Sequence, residues 1–393
     1  MALWDDASPQ GNKPIVFMKI FLSFSVGNSA VSDHFLSLAD ELHKRGHEVH
    51  ILSWGRSGKT FPFDKPYLLH HFPSKRPTRF RDALFLTKLI RKYKPDCLIA
   101  NFGSVNLMML IGFLLRVPIR ICWYRTMSGQ LAIDFRGSKV VKELLKRRKS
   151  ITYALATNIA ANSLSAKKDC AKVYRVPLGK IVVFYNSLKD PFLSLQKIRT
   201  PDREDENLLR LVVVGRLSPS KGHHVLLQAM AVVRNSFPFV ELFIVGDGSE
   251  REKLQALAKS LAISDSCNFI GSVPHADVYA YLKMADVAIV PSFQEAFGFV
   301  ALEAMAMRVP VIASAVGGLK EVVRDGVDGL LVPPGDVNNL AQAILKLLGD
   351  EKKRKIMGKH ARRRFEEVFE QQVVVEKQAD WLFDLFLQKV KKA

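Results

Sequence analysis

Cysteine is scarce in this chain: four among 393 residues, at Cys97, Cys122, Cys170 and Cys267. No two form a Cys-x-x-Cys pair and no His stands at zinc-finger spacing, which excludes a disulfide scaffold and a small structural zinc module. Cys97, Cys122 and Cys267 lie in or beside apolar runs, where cysteine is a small core residue. A reducing compartment fits. Long apolar runs are also missing. The best, Val105 to Leu115, is interrupted by Asn106 and stopped by Arg116, well short of the ~18 residues that signal a spanning helix. Asp5 and Asp6 stand where a secretory signal needs positive charge, and no apolar stretch precedes residue 15. The expectation is a cytoplasmic chain with a flexible leader over 1–18 and Met18 as an alternative start. Internal repeats, low-complexity tracts and an Asp-x-Asp motif are absent as well.

Acidic residues are short in one half only. Residues 1–200 hold 33 Lys and Arg against 13 Asp and Glu, whereas residues 201–393 hold 25 of each. The whole surplus of +20 therefore belongs to the N-terminal half. A one-sided field of this size points to an anionic partner: a membrane surface, a phosphorylated substrate or nucleic acid. Nucleic acid is the weakest of these, because no aromatic interleaving and no reader motif accompany the charge.

What is present is ordinary globular composition, 48% hydrophobic and 24% charged, at a length for two to three domains of roughly 150 residues. Strand-like apolar runs alternate with helix-periodic segments, the signature of parallel α/β sheets. Strands are expected at Lys19 to Ser25, Glu48 to Ser53, Cys97 to Asn101, Arg120 to Trp123, Leu155 to Ala161 and Ile181 to Tyr185. A second series runs Arg210 to Val214, Glu241 to Val245, Cys267 to Ile270, Val287 to Val290, Val311 to Ala313 and Gly329 to Val332. Between them lies a polar stretch with Pro191, Pro201 and the acidic run Asp202 to Glu206, a linker composition. The charge shift falls at the same place. The domains expected are 19–190, a linker over 191–207, a second domain over 208–372 and an amphipathic helix over 373–393 carrying Trp381, Leu382, Leu385 and Phe386.

In the second domain, loops follow strands where ligands bind in open parallel sheets. Gly215-Arg216-Leu217 with Lys221-Gly222 brackets a helix start with two cations, an anion clamp. Gly246-Asp247-Gly248 makes a tight turn without side-chain bulk. After Val287 to Val290 comes a loop with Glu295, Ala296, Phe297 and Gly298, and then a helix from Phe299 and Val300. Gly298 allows close approach to the backbone, and free N–H groups at the helix start face a phosphate with the helix dipole behind them. Glu295 and Glu303 flank such a diphosphate, one towards a sugar and the other towards ribose. For Glu303 the alternative is a solvated helix residue, but its apolar neighbours indicate a packed helix, where an unpartnered carboxylate is costly. His223 and His224 read as surface or cap residues, His275 as a helix start, and His70-His71 as a loop with no companion carboxylate.

This ordered set, Gly215-Arg216-Leu217-x-x-x-Lys221-Gly222, Gly246-Asp247-Gly248 and Glu295-x7-Glu303 within Glu-Ala-Phe-Gly-Phe-Val-Ala-Leu-Glu-Ala-Met, resembles the family 4 retaining glycosyltransferases. Pro310 to Ala313, Gly317-Gly318 and Asp328 to Val332 continue the likeness, which is strong over roughly 208–350. The resemblance implies the GT-B fold: two Rossmann-like parallel-sheet domains facing a cleft, with the C-terminal helix returning to the first. It implies a nucleotide-sugar donor, no metal and no other cofactor. Arg216 and Lys221 would neutralise the leaving diphosphate, Glu295 would hold donor-sugar hydroxyls, and Phe297 to Val300 would supply backbone contacts. Glu303 would bind ribose, with the base near Ile270-Gly271-Ser272. The first domain departs from the family twice. Its first loop reads Gly27-Asn28 where Gly-Gly is common, and Arg125 stands where many members have His; an Arg stays cationic and cannot act as a general base.

Cations cluster at Lys75 to Arg81, at Lys88 to Lys94, and at Lys139, Lys142, Lys146, Arg147, Arg148 and Lys149. The last set reads as an amphipathic helix with Val140, Val141, Leu144 and Leu145 on one stripe, able to lie on an anionic membrane. The alternative is that the stripe packs on the core. A lipid-linked or membrane-lipid acceptor follows on the membrane reading, at the inner face of the cytoplasmic membrane. The rivals are a soluble phosphorylated acceptor, a catalytically silent nucleotide-sugar-binding subunit and a nucleotide-sugar epimerase.

Overall fold

The computed structural model describes residues 17–391 apart from Asn28 and the segments 55–64, 130–137 and 192–207. Two wholly parallel sheets organise these residues. The first has the order β3 (Leu68–His71), β2 (Glu48–Ser53), β1 (Lys19–Ser23), β4 (Cys97–Ala100), β5 (Ile119–Tyr124), β6 (Asn158–Ala161) and β7 (Ile181–Val183). The second runs β10 (Cys267–Gly271), β9 (Val240–Val245), β8 (Leu209–Val214), β11 (Val287–Val290), β12 (Val311–Ser314) and β13 (Gly329–Val332).

Both sheets are covered on two faces, so their strands read as near-continuous apolar runs. Successive residues alternate between cores. Phe21, Leu98 and Ala100 pack on one side of the first sheet, and Ile20, Leu22, Cys97 and Ile99 on the other. In β8, Leu211 and Val213 face one core and Val212 the opposite one. The helices of the first domain are α1 (Ala30–Lys44), α2 (Phe80–Tyr93), α3 (Val105–Leu114), α4 (Lys139–Leu155) and α5 (Leu164–Tyr174). Those of the second are α6 (His223–Arg234), α7 (Arg251–Ser260), α8 (His275–Met284), α9 (Phe299–Ala306), α10 (Leu319–Val322), α11 (Val337–Leu348) and α12 (Glu351–Arg364). A π turn, Phe365–Phe369, leads into α13 (Gln371–Val390).

Helix α13 returns to the first domain. Val375, Ala379 and Leu382 are buried there with Phe35, Leu38 and Leu42, and Arg45 pairs with Asp380 at 2.8 Å. The chain re-enters beside its earlier exit: Leu188 and Glu370 bridge, and Asp190 accepts a 2.9 Å bond from Arg362. All four cysteines are buried and unpaired.

Three expectations need correction. His70 and His71 lie in strand β3, not a loop; four residues on an exposed edge give too little pattern to read. A carboxylate does accompany them, since His70 Nε2 meets His50 Nδ1 at 2.9 Å and His50 Nε2 meets Glu48 Oε1 at 2.7 Å. Among the described residues no group of three or more His, Cys, Asp or Glu is placed to hold a metal. The run from Leu155 to Ala161 is not one strand: Leu155 ends α4 and only Asn158 to Ala161 pair. A short apolar run cannot by itself distinguish the last turn of a helix from a strand.

Candidate active site

The site is assembled at the carboxyl ends of the second sheet. After β8, Gly215, Arg216 and Leu217 turn outward, with Leu217 N–H bonded to Asp247 O at 3.0 Å. Arg216 is exposed and forms no ion pair among the described residues. Lys221 donates to Glu295 Oε2 at 2.6 Å, and both side chains are about four-fifths covered. In the free protein the two residues assigned to diphosphate and sugar therefore hold one another.

Gly246 and Gly248 serve loop packing. A Cβ on Gly246 would lie 2.0 Å from Gly215 O, and one on Gly248 would lie 2.4 Å from Leu217 O. Their bareness lets the loops after β8 and β9 interlock, which fixes where Arg216 emerges. Asp247 accepts from the Gly248 N–H at 2.7 Å and faces Arg251 at 3.7 Å. The next loop joins on: Gly246 N–H donates to Gly271 O at 2.8 Å, while Ile270 is half-buried and Ser272 exposed.

After β11, Ala296 and Phe297 are buried and Gly298 adopts φ +109°, opening α9 at Phe299. The N–H groups of Phe299 and Val300 belong to the first turn, which has no intrahelical acceptors. They line a cavity of about 190 Å³ together with Lys221, His223, Ser292, Glu295 and Gly298. One turn on, Glu303 is 5% exposed, and its Oε1 meets His275 Nε2 at 2.8 Å. That bond raises the His275 pKa, against burial. Glu303 is thus neither solvated nor unpartnered, and His275, which does start α8, reaches it across 28 residues of sequence.

His223 corrects the surface reading. The left-handed turn at Gly222 turns it inward, where it is buried, lacks a hydrogen-bond partner and is pushed down to about 4 by burial and by Lys221. His224 is exposed and stacks on Phe293.

In the first domain, Arg125 follows β5 and lies over the rings of Phe35 and Trp123, at 5.3 and 5.7 Å. It donates to Asn186 Oδ1. Burial pushes its pKa down to about 9, which still leaves it cationic at neutral pH. Gly27 leads into α1, its N–H bonded to Ser32 Oγ at 3.1 Å; Asn28 lies outside the described residues. Asp33 of α1 and His275 of α8 sense each other's charge across the cleft.

Sequence reasoning missed the contacts that join the domains. Ser163 Oγ donates to Ala296 O at 2.9 Å, and Ser165 Oγ donates to Gly317 O at 3.0 Å. Glu321 accepts the N–H groups of Leu164 and Ser165 at 2.6 and 2.8 Å, capping α5 from the other domain. Only the Ser before the α5 pattern was a signal, and it announces a helix cap whatever lies beyond it.

The cations of α4 divide. Lys142, Lys146, Arg147 and Arg148 are exposed, with Arg147 3.5 Å from Glu143. Lys149 departs from the surface reading: it is half-buried, with Nζ 5.8 Å from the Tyr174 ring centre. The side chain of Lys139 lies outside the described residues. Of the apolar stripe, Val140, Val141 and Leu144 are 69%, 42% and 61% exposed and Leu145 is half-buried, so most of the stripe does not pack on the core.

Comparison with known proteins agrees with this architecture. The profile of the glycosyl transferases group 1 matches residues 195–364, and that of glycosyltransferase family 4 matches residues 31–189. A glycogen synthase of Mycobacterium tuberculosis is 33% identical over 215 residues, 54% of this chain and 50% of that protein. The chain thus matches about half the length of that relative. The capsular polysaccharide biosynthesis glycosyltransferase CapM of Staphylococcus aureus is 28% identical over 88% of this chain and 92% of its own. Among solved structures, sucrose-phosphate synthase of Thermosynechococcus elongatus superposes with TM-score 0.74 at 22% identity, covering 94% of this chain and 100% of that one. HepE of Anabaena, solved with UDP, gives 0.74 at 20% identity over 93% and 100%. The chain belongs to the family 4 glycosyltransferases and has the GT-B fold.

Proposed function

We propose that this protein transfers a sugar from a nucleotide-diphosphate sugar to a hydroxyl of an acceptor, with retention of anomeric configuration and without a bound metal. The observation that carries the reading is the Lys221–Glu295 pair at 2.6 Å beside the opening of α9. A donor would part them. The diphosphate takes Lys221, Arg216 and the N–H groups of Phe299 and Val300, while the sugar hydroxyls take Glu295. Glu303 receives ribose on Oε2, since His275 occupies Oε1, and the base lies along Ile270 to Ser272. As the glycosidic bond breaks, negative charge grows on the departing phosphate, where fixed cations and helix N–H groups are worth most. The same phosphate oxygen receives the acceptor proton, so Arg125 need not act as a base. HepE, solved with UDP and with UDP-glucose, supports this class of donor.

For the acceptor we favour a lipid-linked or membrane-lipid molecule, with the protein peripheral on the inner face of the cytoplasmic membrane. Among the described residues no helix is long and apolar enough to cross a membrane. Two packed helices of the basic domain instead leave apolar side chains exposed: Leu110, Phe113 and Leu114 on α3, and Val140, Val141 and Leu144 on α4. Cations flank them at Arg116, Lys146 and Arg147.

The test is thermal stabilisation by UDP, GDP, ADP and their sugar conjugates, followed by turnover of the donor that binds. A ligand specific for the folded state raises its stability by mass action. One nucleotide should raise Tm, and Glu295→Gln should lower turnover roughly 10²- to 10³-fold, the order of one lost transition-state contact, with Tm little changed. Stabilisation by no nucleotide, or near-normal turnover of the variant, overturns the assignment.

A further inference from the structure

A second cavity, of about 280 Å³, opens in the first domain and shares no residue with the donor cavity. Its floor is Trp123 and Tyr124 at the end of β5, with Phe102 and Gly103 just after β4. The carboxyl ends of parallel strands are where open sheets receive ligands. Four cations from three parts of the chain line it: Arg76 before α2, Arg125 after β5, and Arg148 with Lys149 on α4. Thr78, Thr126 and Asn106 add neutral hydrogen-bonding groups, and among the described residues no carboxylate lines the cavity.

Among the described residues that charge is offset only in part, by the field of Asp169 on Lys149. Arg76, Arg148 and Lys149 form no ion pair among the described residues. Asp169 makes no direct contact with these cations; its oxygens accept from Tyr124 Oη, from Ser128 N–H at 2.8 Å and from Ser128 Oγ at 2.6 Å. Lys149 is held half-buried against the Tyr174 ring, with Arg148 beside it on the helix. Surface lysines free to spread into water would not be gathered this way, because converging like charges repel and lose hydration. A tetrahedral anion would relieve both costs, since guanidinium and ammonium groups bind phosphate oxygens through short charge-assisted bonds.

We propose that this cavity binds a phosphate group of the acceptor, as a mono- or diphosphate ester. The inference rests on the reading that the first domain receives the acceptor. The face of α4 bearing Arg148 and Lys149 serves the cavity, while Lys146 and Arg147 lie on its exposed part. A phosphate in the cavity is thus within one helix of the apolar surface where a lipid chain would lie.

The test titrates inorganic pyrophosphate calorimetrically into full-length protein carrying Arg216→Ala and Lys221→Ala, which removes the donor clamp. One site is expected. Adding Arg148→Gln with Lys149→Gln should weaken it by about tenfold or more, the order of a lost hydrogen bond to a charged group. Arg76→Gln alone, at an exposed loop, should weaken it less but measurably, with melting unchanged. Unaltered affinity in these variants, or no binding in the parent, overturns the proposal. Glycerol 3-phosphate and phosphatidic acid in phosphatidylcholine vesicles then distinguish the source. Loss of the first on substitution indicates a soluble phosphate ester, and loss of the second a lipid one; both support the site. Nucleotide stabilisation of the wild-type protein is measured alongside. If it is absent while pyrophosphate still depends on Arg148 and Lys149, the donor reading fails and the cavity stands.

Discussion

Glu303 and His275 show how one pair can be tested by its sign. Opposed effects act on His275: the bond to Glu303, helped by the charges of Glu303 and Asp33, raises its pKa above the ordinary 6.5, and burial lowers it. The bond is the larger, so His275 should titrate above 6.5 by proton NMR. In Glu303→Gln only burial and the weaker field of Asp33 remain, and the value should fall to 6.5 or below. An unchanged titration would show that the pair does not form. Because the folded value is the higher one, the pair stabilises fully below 6.5, and its contribution fades as pH rises through the folded value. For a half-exposed His this is worth roughly 0.2–1 kcal/mol. Of this site, the placement of Lys221, Glu295 and Glu303 at the carboxyl ends of the second sheet was legible because it depends on spacing along the chain. His275 as a partner of Glu303 was not, since 28 residues and a strand separate them. Nor was the inward turn of His223, which depends on one left-handed residue before it.

At the level of elements, the loops that carry the site are locked to one another by backbone approach. Gly222 takes φ +70°, and a Cβ there would meet Pro291 O at 2.0 Å. The loops bearing Lys221 and Glu295 therefore touch where any side chain would separate them. Gly222→Ala should cost about 1–3 kcal/mol from backbone strain alone, with further loss from the clash, read as a lower urea midpoint. Gly27→Ala, where nothing lies within 4 Å of the new Cβ, should leave the midpoint unchanged. Equal behaviour of the two variants would refute the packing argument. The alternation of strands and helices was readable because both faces of each sheet are buried, which makes strands stand out as apolar blocks. The pattern fades where that physics weakens: β3 is a short exposed edge, and the last turn of α4 is as apolar as the strand that follows it.

Across the whole molecule, the charge asymmetry and most of the exposed large apolar residues fall on one domain, and they call for separate tests. Electrostatic attraction to an anionic surface is screened by salt, whereas burial of apolar side chains is not. Each cation near such a surface contributes about 1 kcal/mol. Lys146→Glu with Arg147→Glu should therefore weaken cosedimentation with phosphatidylglycerol vesicles by at least roughly tenfold at low salt, and the difference should shrink as salt rises. Leu144→Ser with Phe113→Ser should weaken binding at every salt concentration. These four positions avoid Arg148 and Lys149, so the phosphate cavity is left intact. If the charge reversal has no effect at low salt, this helix is not the membrane contact. If only the apolar pair is silent, the attraction is purely electrostatic and the exposed stripe needs another partner. Helix α13 bears on the outcome, because it crosses from the donor domain to the core of the basic one. Through Val375, Ala379 and Leu382 it ties the second domain, from which it emerges, to the domain that would sit on the bilayer. A membrane-bound protein would therefore keep its donor loops within one strap of the surface, the arrangement that transfer to a lipid-linked hydroxyl requires.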